Sequence, residues 1–199
     1  FPRVETLVLE STYGGRNDYQ TDQEDSERKL KDVVRDTAER GGTVLVPTNP
    51  VGRAQEVMLV LAEAMREGDI PELPIYLDGM VWEATAVHTT YPDFLRDNLE
   101  DRIFDVESNP FLADQFQPFD GDDDERKSIA DGEAAVVIAP SGMLDRGPVL
   151  SWLEHVGPDP DSALTFLDYQ AKGTAGRRVQ NGQSEVPTRD GSRERIDVQ

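Results

Sequence analysis

The chain of 199 residues contains no cysteine. That absence removes disulfides, thiolate nucleophiles, CxxC redox chemistry and Cys-containing zinc sites together. Histidine is nearly as scarce. Only His88 and His155 occur, and both fall inside stretches with helical periodicity, without a second histidine or carboxylate at metal-ligand spacing, so both read as ordinary helix residues. A membrane helix needs about 20 consecutive apolar residues, and the longest apolar runs, 57–62 and 134–140, are far shorter. No basic segment followed by an apolar one opens the chain, so no secretory signal is read there and a cytoplasmic fragment is expected. The motifs GxGxxG, GxxxxGK[ST], GxSxG and HExxH are all missing. Gly173-Thr174-Ala175-Gly176-Arg177 is too short for a phosphate loop and lacks its lysine.

Positive charge is also in short supply. Twenty Lys and Arg face 40 Asp and Glu, a formal charge of −20. Only Lys29, Lys31, Lys127 and Lys172 are lysines, and Asp outnumbers Glu. Acidic disordered chains lack apolar residues, whereas 37% of this chain is hydrophobic and falls in periodic blocks, so it folds and carries an acidic coat. The skew towards Asp and Arg points to a salt-loving cytoplasm. In molar salt the Debye length is about 3 Å, so the net charge does not argue against a nucleic-acid partner. The acidic run 120–125 lacks the glycine that a calcium loop needs at its sixth position and reads as a solvated loop.

The apolar blocks alternate between strand and helix periods. Strands are predicted at 4–10, 43–48, 74–77, 134–139, 163–167 and 193–198. Helices are predicted at 21–40, with Thr21 and Glu24 as a capping box and Gly41-Gly42 as the stop, and at 54–67, 80–91, 94–102, 125–130, 148–156 and 174–180. The strands are nearly all apolar along their length, the pattern of a parallel sheet buried on both faces. The expected fold is therefore α/β, a three-layer αβα arrangement with a mostly parallel, Rossmann-like sheet and helices on both faces. No linker splits it, so residues 1–199 read as a single domain.

Ligands in such sheets bind beyond the carboxyl ends of the strands. Polar residues and glycines recur there: Glu10-Ser11-Thr12-Tyr13-Gly14-Gly15-Arg16, Thr48-Asn49-Pro50-Val51-Gly52-Arg53, Asp78-Gly79, Ser141-Gly142-Met143 and Asp168-Tyr169-Gln170. Glycine lets a backbone approach an anion and Arg can fork a phosphate, so a phosphate or anionic polymer suits that edge. Local alternatives stand beside each assignment: Glu10 as a cap for its own loop, Ser141-Gly142 as a plain turn, and Arg53 as a brace to Glu56 or Glu83. The arginines Arg177, Arg178, Arg189, Arg193 and Arg195 form a local basic excess that fits either a solvated surface or a phosphate track.

Six ordered blocks carry a family resemblance. The run from Phe1 to Arg16 resembles the start of the beta-CASP domain of metallo-beta-lactamase-fold ribonucleases, in particular archaeal homologues of the cleavage and polyadenylation specificity factor. Val51-Gly52-Arg53-Ala54-Gln55-Glu56-Val57-Met58, Tyr76-Leu77-Asp78-Gly79-Met80-Val81-Trp82-Glu83-Ala84-Thr85-Ala86, Asn109-Pro110-Phe111, Ser141-Gly142-Met143-Leu144 with Gly147-Pro148, and Tyr169-Gln170-Ala171 with Gly173-Thr174 and Gly176-Arg177 continue it in order. The resemblance implies a domain that covers the dizinc centre of a ribonuclease acting in mRNA 3′-end processing or RNA decay. Glu10 would orient a histidine near the metals, and Ser141, Gly142, Arg53, Gln170, Thr12 and Tyr13 would meet single-stranded RNA. The resemblance also implies that two zinc ions would be held by the parent protein in a companion metallo-beta-lactamase domain, with no metal expected in this chain, which alone is expected to be inactive. The parent could also form a homodimer.

Two departures stand out. Thr48-Asn49-Pro50 is more polar than the family's usual segment, and Asp168 stands where Gly is expected. A non-catalytic RNA-binding scaffold subunit and a free-standing doubly wound enzyme that uses a nucleotide or small metabolite at the same strand edge are the alternatives.

Overall fold

Apolar segments too short to stand alone pair side by side to share their backbone hydrogen bonds. In the computed structural model, which describes residues 3–16, 19, 21–104, 109–187 and 193–197, five of them make one sheet. These are β1 (Thr43–Pro47), β2 (Ile75–Asp78), β3 (Phe116–Phe119), β4 (Ala135–Ala139) and β5 (Ala163–Leu164). Their order is β3-β2-β4-β1-β5, and every neighbouring pair is parallel. Leu45 of β1 sits opposite Val137 of β4 on one side and Leu164 of β5 on the other. Parallel neighbours require a crossover. Helix α2 (Arg53–Glu67) carries the chain from β1 to β2, and α6 (Pro148–Val156) carries it from β4 to β5.

Strand alternation sorts the core into two faces. Val44, Val46, Ile75, Leu77, Val136 and Ile138 pack against α1 (Gln23–Arg40), α2, α3 (Val81–Thr90) and α4 (Asp97–Phe104) through residues such as Val34, Met58, Leu61, Val81 and Ile103. Leu45, Val137 and Ala139 face the other way, onto α5 (Asp123–Ala130), α6 and α7 (Ala175–Gln180), where Trp152, Leu153 and Val156 are buried. Full burial of such a side chain contributes about 1.5–3 kcal/mol. The predicted three-layer α/β architecture is the one observed. No helix among the described residues is long and apolar enough to cross a membrane.

Several local expectations change. Residues 4–10 form no strand: Val4, Leu7, Val8 and Leu9 are exposed, and β propensity alone does not hold an extended segment that finds no neighbour. The cap of α1 is Asp22, whose carboxylate accepts the Glu24 N–H at 2.9 Å, in place of Thr21. The second half of the acidic run, residues 123–125, is helix rather than loop. Asp122 caps α5, its carboxylate accepting the Glu125 N–H while the Glu125 carboxylate takes the Asp122 N–H, and negative charge in the first turn suits the helix dipole. Strand β3 lies in the less regular stretch 92–132, where no strand is predicted; its Pro118 is tolerated since β3 is the sheet edge. The helix expected at 94–102 is a 3-10 turn at Pro92–Phe94 followed by α4. The predicted 163–167 strand pairs only at Ala163–Leu164. The last predicted strand, β7 (Arg193–Arg195), lies outside the main sheet, in an antiparallel pair with β6 (Glu185–Pro187). Phe1, Pro2, Arg189 and residues 198–199 lie outside the described residues.

One buried polar network fixes the β3 side of the sheet. Asp78, at the end of β2, accepts hydrogen bonds from Arg126 Nε (3.1 Å), Arg126 Nη2 (3.0 Å) and Trp152 Nε1 (2.7 Å) on one carboxylate oxygen, and from the Gly79 N–H on the other. Arg126 also lies 4.9 Å from the centre of the Phe119 ring. Asp78 thus braces the packing of α5 and α6 and does not belong to the polar edge where the sequence placed it. Removing one member of a buried ion pair leaves the other uncompensated, at a cost of about 3–5 kcal/mol. Asp78→Ala is expected to destabilise the protein by about that amount in chemical denaturation; a loss below about 1 kcal/mol, the size of a surface pair, would show that the network is not anchoring the fold.

Candidate functional site

Strands β1 and β4 are neighbours, yet the chain leaves them in opposite directions. From β1 it passes to α2 on the first face, and from β4 to α6 on the second. Loops that part in this way open a crevice at the carboxyl ends of the two strands. A cleft of about 670 Å³ occupies that position. It is lined by Glu10, Thr12 and Tyr13, by Thr48, Asn49, Pro50 and Arg53 after β1, by Pro140, Ser141, Gly142 and Met143 after β4, and by Asp168 and Tyr169 after β5.

The loops that form the walls are braced from beneath. Gly142 presses on the chain after β1: a Cβ there would lie 3.3 Å from Thr48 Cα, so a side chain would push the two walls apart. Gln170, predicted from the resemblance as an RNA contact, is buried. Its amide nitrogen donates to the carbonyls of Gly142 (2.8 Å) and Asp168 (3.1 Å), so it joins the second and third walls from below rather than facing the cleft. Its Oε1 lies against Gly176, where any Cβ would collide with it. Gln55 does the same for the first wall. Its Oε1 accepts the Gly52 N–H at 2.7 Å, and its Nε2 donates to Pro50 O, Val81 O and Thr85 Oγ1. Sequence reasoning gave Gln55 no such role, although a lone polar residue among Ala54, Val57 and Met58 on an apolar helix face was its signal.

The charges in the cleft are largely spoken for. Arg53 Nε donates to Asp168 Oδ1 at 3.0 Å, and Arg53 Nη1 pairs with the Glu56 carboxylate. The predicted brace to Glu56 therefore exists, with Asp168 as a second partner, and Arg53 does not present a free cation to a phosphate. Glu10 Oε1 accepts the Thr12 N–H at 2.5 Å. Hydrogen bonds from the Thr12 side chain and then from its backbone hold the Glu10 carboxyl below the ordinary glutamate range. Tyr13 packs edge-on against Tyr169, with ring centres 5.8 Å apart and planes at 79°. The basic excess lies elsewhere: Arg178 Nη1 donates to Gly173 O and Arg195 pairs with Asp197, and neither Arg177, Arg178 nor Arg195 lines the cleft.

The chain's described residues do not offer a metal centre. No group of three or more His, Asp or Glu side chains among them could hold an ion. His88 Nδ1 lies 2.7 Å from Ala84 O within α3, and His155 Nε2 lies 3.2 Å from Asp123 Oδ2. Both histidines are helix residues, as their spacing predicts. For the Glu10 loop, Thr12→Val is expected to move the Glu10 titration upward in carboxyl-detected NMR, because the hydroxyl that favours the ionised form is gone. An unchanged midpoint would mean that the backbone N–H alone sets it.

Comparison with known proteins places these features. A sequence profile of the Beta-Casp domain matches residues 54–179. The chain is 50% identical over 200 residues to the transcription termination factor FttA of Thermococcus kodakarensis, covering 100% of this chain and 31% of that protein. It is 48% identical over 200 residues to FttA of Methanocaldococcus jannaschii, with the same coverage, and 43% identical over 182 residues to FttA of a Lokiarchaeum, covering 92% of this chain and 28% of that protein. The chain thus spans about a third of the length of these relatives. With the profile match running from α2 through β2, β3, β4 and β5 and including the wall around Ser141, the chain belongs to the Beta-Casp domain family.

Proposed function

We propose that this chain is the RNA-facing domain of a longer ribonuclease that acts in RNA 3′-end processing and transcription termination. One observation carries the proposal. Glu10, Thr12, Tyr13, Arg53, Ser141 and Gly142, contributed by three separate stretches of sequence, come together along one cleft at the carboxyl ends of β1 and β4. In this reading single-stranded RNA runs along the cleft, with the Ser141 hydroxyl and the Gly142 backbone beside its phosphates. Gln170 and Gln55 keep the walls at their spacing. Glu10 completes the site by orienting a histidine from a companion metallo-beta-lactamase domain, to which the side chains that hold two zinc ions are assigned.

The exposed segment at the start of the chain supports a companion domain. Leu7, Val8 and Leu9 are 67%, 89% and 72% exposed immediately before Glu10. Three consecutive apolar residues in water are costly, since burial of such area contributes about 25 cal/mol per Å², and a companion sheet or helix would cover them. The names of the relatives favour transcription termination as the setting. A salt-rich cytoplasm suits the charge of −20.

Cleavage of end-labelled single-stranded RNA at molar KCl tests the reading. The full-length protein is expected to cut, the isolated chain is not, and Glu10→Ala in the full-length protein should lower cleavage about 10- to 100-fold, the usual effect of removing a residue that orients a metal ligand, with folding unchanged. Turnover by the isolated chain that Glu10→Ala abolishes would place the active site here instead. Full activity of the full-length variant would remove Glu10 from the site, and a full-length protein that binds RNA without cutting it would leave an RNA-binding scaffold.

A further inference from the structure

An RNA cleft is expected to be basic, and this one is not. Its lining carries one cation, Arg53, and two anions, Glu10 and Asp168, and Asp168 and Glu56 already pair with that cation. Salt screens the repulsion of a polyanion but adds no attraction. Affinity for a single strand must then come from something other than phosphate charge. The cleft holds two aromatic side chains, Tyr13 and Tyr169, 43% and 37% exposed. They reach it from different parts of the chain, one from the loop after Glu10 and one from the loop after β5, and meet edge to face. An edge-to-face pair leaves ring surface open, and an open aromatic face stacks nucleobases of any identity.

We propose that Tyr13 and Tyr169 form a nucleobase-stacking platform at the mouth of the cleft, which holds one unpaired base of a single-stranded RNA beside the Ser141-Gly142 wall. This rests on the RNA reading above and deepens it. Binding is governed by base stacking more than by backbone charge, so it tolerates sequence and changes little with salt. The contrast with the other aromatic group supports the assignment: Trp152 is buried and Tyr76 and Phe119 pack onto it within the second core, whereas the Tyr13–Tyr169 pair opens onto the cleft.

The test measures binding of the full-length protein to fluorescent, cleavage-resistant 2′-O-methyl oligouridylates, one intact and others each carrying a single abasic residue at successive positions. The wild-type protein is expected to lose about 5- to 100-fold in affinity when the abasic residue falls at one register, the loss that corresponds to one stacked base. Tyr169→Ala should lose a similar factor on the intact strand and nothing more on the abasic one, while Tyr169→Phe, which keeps the ring, should bind as the wild type. A scan that stays flat on a strand the protein does bind would overturn the platform and leave the RNA reading standing. So would additive losses from the abasic residue and Tyr169→Ala. No binding to any strand would overturn both. The abasic scan uses unmodified protein, so a variant that fails to fold does not leave the question open.

Discussion

The site depends on the pairing of β1 with β4. All five residues of each strand are buried, and buried backbone N–H and C=O groups must find partners. The two strands therefore lock in one register from Thr43–Ala135 to Pro47–Ala139, and the Thr48 N–H donates to Ala139 O beyond the last pair. That lock delivers the chain after β1 and the chain after β4 to the same height. Because α2 and α6 then depart to opposite faces, the gap between the loops is a consequence of the topology. Gly142 against Thr48 sets its width at the base.

Two kinds of buried polar group stabilise this frame, and they act differently. The Gln170 and Gln55 amides satisfy loop carbonyls and turns that a purely apolar residue would leave unpaired, so they fix the shape of the walls. Asp78 carries a charge into the interior, where it is tolerated because Arg126, Trp152 and the Gly79 N–H surround it. The first kind shapes the cleft and the second holds the far edge of the sheet. Neither contacts the space where a ligand would sit.

Electrostatics within the cleft is local neutralisation. Arg53 lies between Glu56 and Asp168, and Glu10 is held ionised by its own loop. Asp168, noted in the sequence as a departure from the expected Gly, occupies the Arg53 guanidinium and so alters the chemistry of the whole wall. What the cleft offers a guest is polar backbone, a hydroxyl and two aromatic rings.

The sequence by itself determined the α/β class, because continuous apolar strands separated by amphipathic helices bury only as a parallel sheet between two helical layers. It also located the strand-end loops, and six of its seven candidate residues line one cleft. It misjudged residues 4–10, where the pattern of a strand was present and the neighbour that makes a strand was not. It missed β3, a four-residue edge strand whose FQPF sequence shows no apolar run like those of the central strands. Only the tertiary structure decided that Gln170 lies beneath the cleft, that Arg53 also pairs with Asp168 across 115 residues, that Asp78 meets Arg126 across 48 residues, and that Tyr13 meets Tyr169. Each of these is a contact between segments distant in sequence, and residue spacing carries no record of which distant side chains a sheet will bring together.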